Sequence, residues 1–265
     1  MTEGIDALTA AALGALQGLT EFLPVSSSGH VAIAAKFFGI QQNSLALVIL
    51  LHLGTLLATV LLLRRDVGAL AIEGVAALRD PSRLRATPEG RTVAGILIAT
   101  CITAALGLLL RDLAEAFAED LHLVGYGLLV TSAFLVASGV ARGNSIEVSW
   151  WQAAGIGLAQ GVAVLPGVSR SGITIAVAML LGVHGNAAFR FSFLLSLPAI
   201  AGAALLEASG AEGFGSLGAQ AWIGGAVALV TGYVSLVMLR YVILVGRMWT
   251  FAVYLLPLGF FLISR

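Results

Sequence analysis

The chain has 265 residues, a formal net charge of zero, 59% hydrophobic and only 11% charged residues, and a mean hydropathy of +1.00. Soluble domains carry about 25% charged residues, so this composition specifies an integral membrane protein. The neutral balance argues against a polyanion partner, and no nucleic acid is expected.

Residues 1–22 are apolar but broken by glycines, and the run stops at Leu23-Pro24. A full span needs roughly 20 unbroken apolar residues. This run and the short apolar piece 30–38 therefore predict two half-length helices around Pro24-Val-Ser-Ser-Ser-Gly29. The pair reads as a re-entrant hairpin, whose non-helical backbone must be satisfied by protein or water. Residues 45–63 form a span closed by Arg64, Arg65 and Asp66. Residues 64–91 read as the most charged loop, with Arg79, Arg83, Arg85, Arg91, Pro81 and Pro88. Spans at 93–110 and 122–141 flank a short acidic segment, 111–120, that fits an interfacial turn, and 142–148 is a polar connector. Residues 150–165 and 173–183 repeat the half-segment pattern around Pro166-Gly-Val-Ser-Arg-Ser-Gly172. Spans at 188–206, 221–239 and 248–263 follow. The lone Cys101 excludes an internal disulfide. No basic region precedes the first apolar stretch, so no cleavable signal peptide is expected. The expected fold is all-α: six transmembrane helices plus two re-entrant helical hairpins in a single membrane domain, residues 1–265.

The two hairpins read as copies. At an offset of 143 residues, Gln17 meets Gln160, Gly18 meets Gly161, Ser26 meets Ser169, Ser28 meets Ser171 and Gly29 meets Gly172. Gly39 meets Gly182 and Asn43 meets Asn186, again without a gap. Chance apolar similarity would match leucines and alanines instead. Repeat 1 covers about 5–64 and repeat 2 about 148–207. An odd number of full spans separates the hairpins, so the copies enter from opposite faces. That is an inverted-topology repeat, with its site where the copies meet near the midplane. Arginine excess marks cytoplasmic loops. Loop 64–91 is then cytoplasmic, loop 207–219, without Lys or Arg, is extracytoplasmic, and so are both termini. The first hairpin opens outward and the second toward the cytoplasm.

Polar clusters are costly in lipid and point to function. Gln17 and Glu21 lie four residues apart and share a helix face. Ser26, Ser27, Ser28 and Gly29 let successive N–H groups converge on an anion, and His30 opens the next half-helix, whose N-terminus favours one too. Ser169, Arg170, Ser171 and Gly172 do the same in the second copy, and arginine suits bidentate phosphate contacts. Two facing half-helix N-termini make a pocket for a phosphate or diphosphate. A serine attacks phosphorus only when its proton is removed, and His30 or Glu21 can take it. Arg170 and backbone N–H groups would stabilise the equatorial oxygens. A metal bridging Glu21 to substrate stays open; oxygen ligands suit Mg2+ or Ca2+, but one carboxylate is a thin shell. The bland alternatives are serines that only cap a helix, an Arg170 that snorkels and a neutral structural Glu21. His52 either hydrogen-bonds across helices or lines the pocket. Gln160 is expected to be structural, and Arg190 to be a second anion contact or a loop anchor.

Three motifs carry a family resemblance: Gln17-Gly-Leu-Thr-Glu21, Pro24-Val-Ser-Ser-Ser-Gly-His30 and Pro166-Gly-Val-Ser-Arg-Ser-Gly-Ile-Thr174. They resemble the undecaprenyl-diphosphate phosphatase, or bacitracin-resistance (BacA-type), family, and the hydrophobic layout extends the resemblance over essentially the whole chain. The resemblance implies hydrolysis of a polyprenyl diphosphate to the monophosphate and inorganic phosphate, recycling the lipid carrier of cell-wall glycans. It implies a cell-membrane site facing the extracytoplasmic side, and bacitracin resistance, because that antibiotic sequesters the diphosphate lipid. By motif position, Ser27 is the implied nucleophile and His30 its acid/base, with Glu21 orienting the site or helping to bind a metal. Arg170 would hold the diphosphate, supported by Ser169, Ser171 and Thr174, with Gln17, Ser26, Ser28 and Gly172 in the same binding motifs. Gln17 departs from the Glu that many members carry, which removes a charge and weakens the case for tight metal binding. Val48 and His52 stand where well-known members have an acid and a glutamine. A lipid-phosphate flippase is the alternative reading, separated by whether inorganic phosphate is released. Polyprenyl chain length and oligomeric state, a homodimer included, stay open.

Overall fold

A computed structural model describes residues 6–38, 45–208 and 219–264. In chain order the helices are α1 (Ala7–Phe22), α2 (Ser27–Phe38), α3 (Leu45–Leu62), α4 (Arg64–Arg79), α5 (Arg83–Ala86), α6 (Pro88–Leu109) and α7 (Arg111–Glu119). They continue with α8 (Leu121–Ser138), α9 (Trp150–Val162), α10 (Arg170–Leu180), α11 (Gly185–Ala208) and α12 (Ala219–Leu244). A 3-10 turn, Met248–Phe251, leads into α13 (Ala252–Ile263). Among the described residues the architecture is all-helical. Gly39 and Asn43 of the repeat lie outside the described residues, as does most of the expected loop 207–219.

Three helices are long and apolar enough to cross a bilayer by themselves among the described residues: Pro88–Leu109, Leu121–Ser138 and Gln220–Leu244. Leu47–Leu62 and Arg64–Arg79 reach that standard only together, across an 88° bend. The bend falls where Arg64, Arg65 and Asp66 end the apolar run, so α3 stays among apolar neighbours and α4 turns away. The chain is a multi-pass membrane protein.

The stretch 64–91 is a correction to the sequence reading, because it is helical rather than a loop. Its charges are spaced along an amphipathic helix, and its prolines sit at boundaries. Thr87 Oγ1 accepts from Gly90 N at 2.9 Å and caps α6. Pro88 then occupies the first helical position, where a missing N–H is harmless. The Glu73 carboxylate fastens this region: Arg83 donates through Nε at 3.0 Å and Nη2 at 2.8 Å, and Thr87 Oγ1 at 2.7 Å. These donors, Arg83 first, hold the Glu73 carboxyl below the ordinary carboxylate range. The acidic segment expected as a turn is likewise the 9-residue helix α7.

In lipid, helices associate through close packing rather than water exclusion. Helices α1 and α3 both pack on α12, α9 packs on α6, and α10 sits against α8 and α9. At the α1–α12 crossing a Cβ on Gly14 would lie 2.2 Å from the Gly224 carbonyl oxygen, so only glycine permits this approach. Phe22, fully buried at the end of α1, meets Phe193 of α11 edge-on with ring centroids 5.6 Å apart. This aromatic contact anchors the last turn of α1, which carries Glu21.

Candidate active site

The helical breaks are written into the backbone. Leu23 is extended, as a residue before proline must be, with φ −61° and ψ 143°. Ser26 has φ +70°, a left-handed conformation rare outside glycine. Its side chain fixes it there. Ser26 Oγ accepts from Gly29 N at 3.3 Å, capping α2, and from Gly167 N at 3.1 Å, reaching the second break. Gly167 has φ +92°, and a Cβ there would fall 2.2 Å from the Val124 carbonyl oxygen. In the second break Ser169 Oγ accepts from Gly172 N at 3.2 Å and caps α10. The hydroxyl pairs match too: Ser26 and Ser28 lie 3.4 Å apart, Ser169 and Ser171 3.3 Å.

Glu21 is the hub. Its carboxylate is buried, 7% exposed. Oε2 accepts from Ser27 Oγ at 2.8 Å and from Gln17 Nε2 at 3.0 Å. Oε1 accepts from Arg170 Nη2, the first residue of α10. His52 Nε2 lies 3.8 Å from Oε2. One carboxylate thus touches a hydroxyl, an amide and a guanidinium from both breaks. A buried carboxylate needs this compensation, because an unpaired charge in a low-dielectric site is strongly unfavourable. The cluster opens on a cavity of about 370 Å³ lined by Glu21, Ser27, His52, Gln160 and Arg170, among others.

A family model described as bacitracin resistance protein BacA matches residues 10–261. The chain belongs to the BacA family. It is similar to the undecaprenyl-diphosphatase of Desulforapulum autotrophicum, 38% identical over 262 residues that cover 93% of this chain and 94% of the relative. The undecaprenyl-diphosphatase of Desulfosudis oleivorans is 41% identical over 257 residues, covering 93% and 94%. That of Korarchaeum cryptofilum is 36% identical over 255 residues, covering 95% and 96%.

In this BacA-family chain the residues singled out from sequence divide into two groups. Glu21, Ser26, Ser27, Ser28, Ser169 and Arg170 line the cavity. Gln17 reaches it only through Glu21. Ser171, Gly172 and Thr174 do not line it: Ser171 Oγ points at the Leu23 carbonyl at 3.5 Å, and Thr174 Oγ1 donates to the Arg170 carbonyl at 2.8 Å. His30 does not line it either. Its Nδ1 lies 2.9 Å from the Ser26 carbonyl oxygen and its Nε2 2.8 Å from the Tyr254 hydroxyl. Arg190 lies away from the cluster, paired with Asp66 through Nε at 3.1 Å. Thr103 was missed from sequence. It accepts from Gln160 Nε2 at 3.2 Å on the cavity wall, and a lone threonine in an apolar span carries no signal of that. No three His, Cys, Asp or Glu side chains gather for a metal among the described residues. Glu21 supplies the cavity's one carboxylate there, against the six to eight oxygens that Ca2+ takes.

Proposed function

We propose that this chain hydrolyses undecaprenyl diphosphate to the monophosphate and inorganic phosphate, at the cavity where Glu21, Ser27 and Arg170 meet. The observation that carries this reading is the Ser27 Oγ hydrogen bond to Glu21 Oε2 at 2.8 Å, with a guanidinium on the other carboxylate oxygen. A nucleophile, its base and an anion ligand then stand within one hydrogen-bonded cluster.

The chemistry follows from the contacts. The diphosphate draws Arg170 off Glu21, which frees the carboxylate to receive a proton. Ser27 Oγ bonds to the terminal phosphorus as its proton passes to Glu21 Oε2. The bond from that phosphorus to the bridging oxygen breaks, and the lipid monophosphate leaves with the electron pair. Arg170 and the N-termini of α2 and α10 offset the charge on the equatorial oxygens. Water then displaces Ser27 Oγ, which recovers its proton from Glu21, and phosphate leaves.

The same reading takes the fold as an inverted repeat with six spans in the cell membrane. Its support is positional: α1 and α9 begin at Ala7 and Trp150, and α2 and α10 at Ser27 and Arg170, each pair 143 residues apart. The arginines of 64–91 favour a cytoplasmic α4–α5 region, so the first hairpin opens to the extracytoplasmic side. Hydrolysis there lowers the diphosphate lipid available to bacitracin. The test is to incubate purified protein with undecaprenyl diphosphate and separate the lipids. Monophosphate with equimolar inorganic phosphate is expected; intact diphosphate and no phosphate would overturn the reading.

A further inference from the structure

We propose that His52 is the base that deprotonates the hydrolytic water in the second half of the reaction, an inference that rests on the serine-first reading above. The need for such a base comes from counting protons. After the first step Glu21 holds the proton of Ser27 and must return it to that oxygen. It is not free to take one from water as well.

Two imidazoles lie near the cluster, and their hydrogen bonds separate them. Both nitrogens of His30 are engaged, by the Ser26 carbonyl at 2.9 Å and the Tyr254 hydroxyl at 2.8 Å, and its ring stacks on Tyr254 with centroids 5.8 Å apart. His52 has one nitrogen tied and one open. Its Nδ1 lies 2.8 Å from the Val48 carbonyl oxygen, which only accepts, so Nδ1 carries the proton. In the neutral ring Nε2 holds the lone pair, and His52 stands on the cavity wall. The 3.8 Å between Nε2 and Glu21 Oε2 is too long for a direct hydrogen bond. It is a span that a single water can bridge, bonded to both atoms. A water placed there lies beside the carboxylate to which Ser27 Oγ donates.

The charged groups that face His52 are few. Glu21 comes from α1, and Arg170 from α10 stands on its far oxygen. Helix α11 contributes apolar Ala199 and Ile200 to the cavity, and α12 contributes no lining residue among those described. In the proposed step the water oxygen bonds to phosphorus, the bond from phosphorus to Ser27 Oγ breaks, and the water proton goes to His52 Nε2. Oγ takes back its proton from Glu21, and the imidazolium is left beside a carboxylate. Its proton then leaves with phosphate or to solvent.

The experiment is rapid-quench kinetics on the full-length protein with undecaprenyl diphosphate labelled in the terminal phosphate. His52→Ala and His52→Asn, the latter keeping a donor for the Val48 carbonyl, should both release one burst of lipid monophosphate per enzyme. Both should accumulate labelled protein and release phosphate roughly 100-fold more slowly than the wild type. In the wild type, decay of the labelled protein should rise with pH and then level; in the variants that rise should be absent. Phosphate release within about threefold of wild type, or equal loss of both steps, would overturn the role of His52. If neither variant is recovered folded, the wild type decides, since a pH-independent decay of its label would overturn the role. A wild type that releases phosphate without ever labelling Ser27 would instead overturn the serine-first reading.

Discussion

Arg170 Nη2 donates to Glu21 Oε1, tying the first turn of α10 to the last turn of α1 across 149 residues of chain. The two partners are otherwise the poorest-solvated charges at the cavity, with side chains 20% and 5% exposed. Arg170→Gln therefore strands a buried carboxylate. It should lower stability by about 3–5 kcal/mol. Adding Glu21→Gln in the same chain should recover much of that loss while phosphate release stays abolished. Thermal unfolding of the two variants, beside the activity assay, checks both halves.

Ser26 separates strain from hydrogen bonding. Ser26→Ala keeps the φ of +70° and leaves the N–H groups of Gly29 and Gly167 without their acceptor. Each buried N–H left unpaired costs about 1–3 kcal/mol. Ser26→Gly loses the same acceptor but relieves the backbone, so it should be the more stable variant by about 1 kcal/mol. Denaturation midpoints that rank alanine above glycine would contradict this.

Helical breaks were legible in the sequence because their causes are local. Proline after Leu23 and the Ser-Gly runs punctuate otherwise apolar helices within a few residues. The helices of 64–91 were not legible, because six arginines and two prolines also describe a loop. What fastens them together is Glu73 receiving Arg83 and Thr87, 10 and 14 residues on, which no local pattern announces. The surroundings of His30 were hidden for a similar reason, whereas His52, read as a cross-helix hydrogen bonder or a pocket residue, does line the cavity. His30 follows the serines in sequence, yet its partner Tyr254 is 224 residues away. His52 is outside every motif in sequence and comes near Glu21 because α1 and α3 pack on each other and on the same helix.

The Glu73 clasp predicts an acid-sensitive contribution to stability. Its carboxyl is held below the ordinary range, so the unfolded chain binds the proton more readily. The contribution is fully present above the unfolded value, near 4.5, and fades as pH falls through the lower folded value. Glu73→Gln should be less stable than wild type at pH 7, with the gap closing on acidification. A gap that stays constant from neutral to acid pH would contradict the assignment.

Orientation is testable with single cysteines. After Cys101→Ala, Ser82→Cys in the turn before α5 should resist a membrane-impermeant maleimide applied to intact cells. Glu115→Cys on α7 should react with it. The reverse pattern would invert the proposed topology.

Phosphate release by Ser27→Ala, measured beside wild type with undecaprenyl diphosphate, is the most direct measurement. Removal of the hydroxyl bonded to Glu21 should lower turnover at least roughly 100-fold while the protein remains folded. Turnover near the wild-type rate would show that the bond to phosphorus is cut without Ser27.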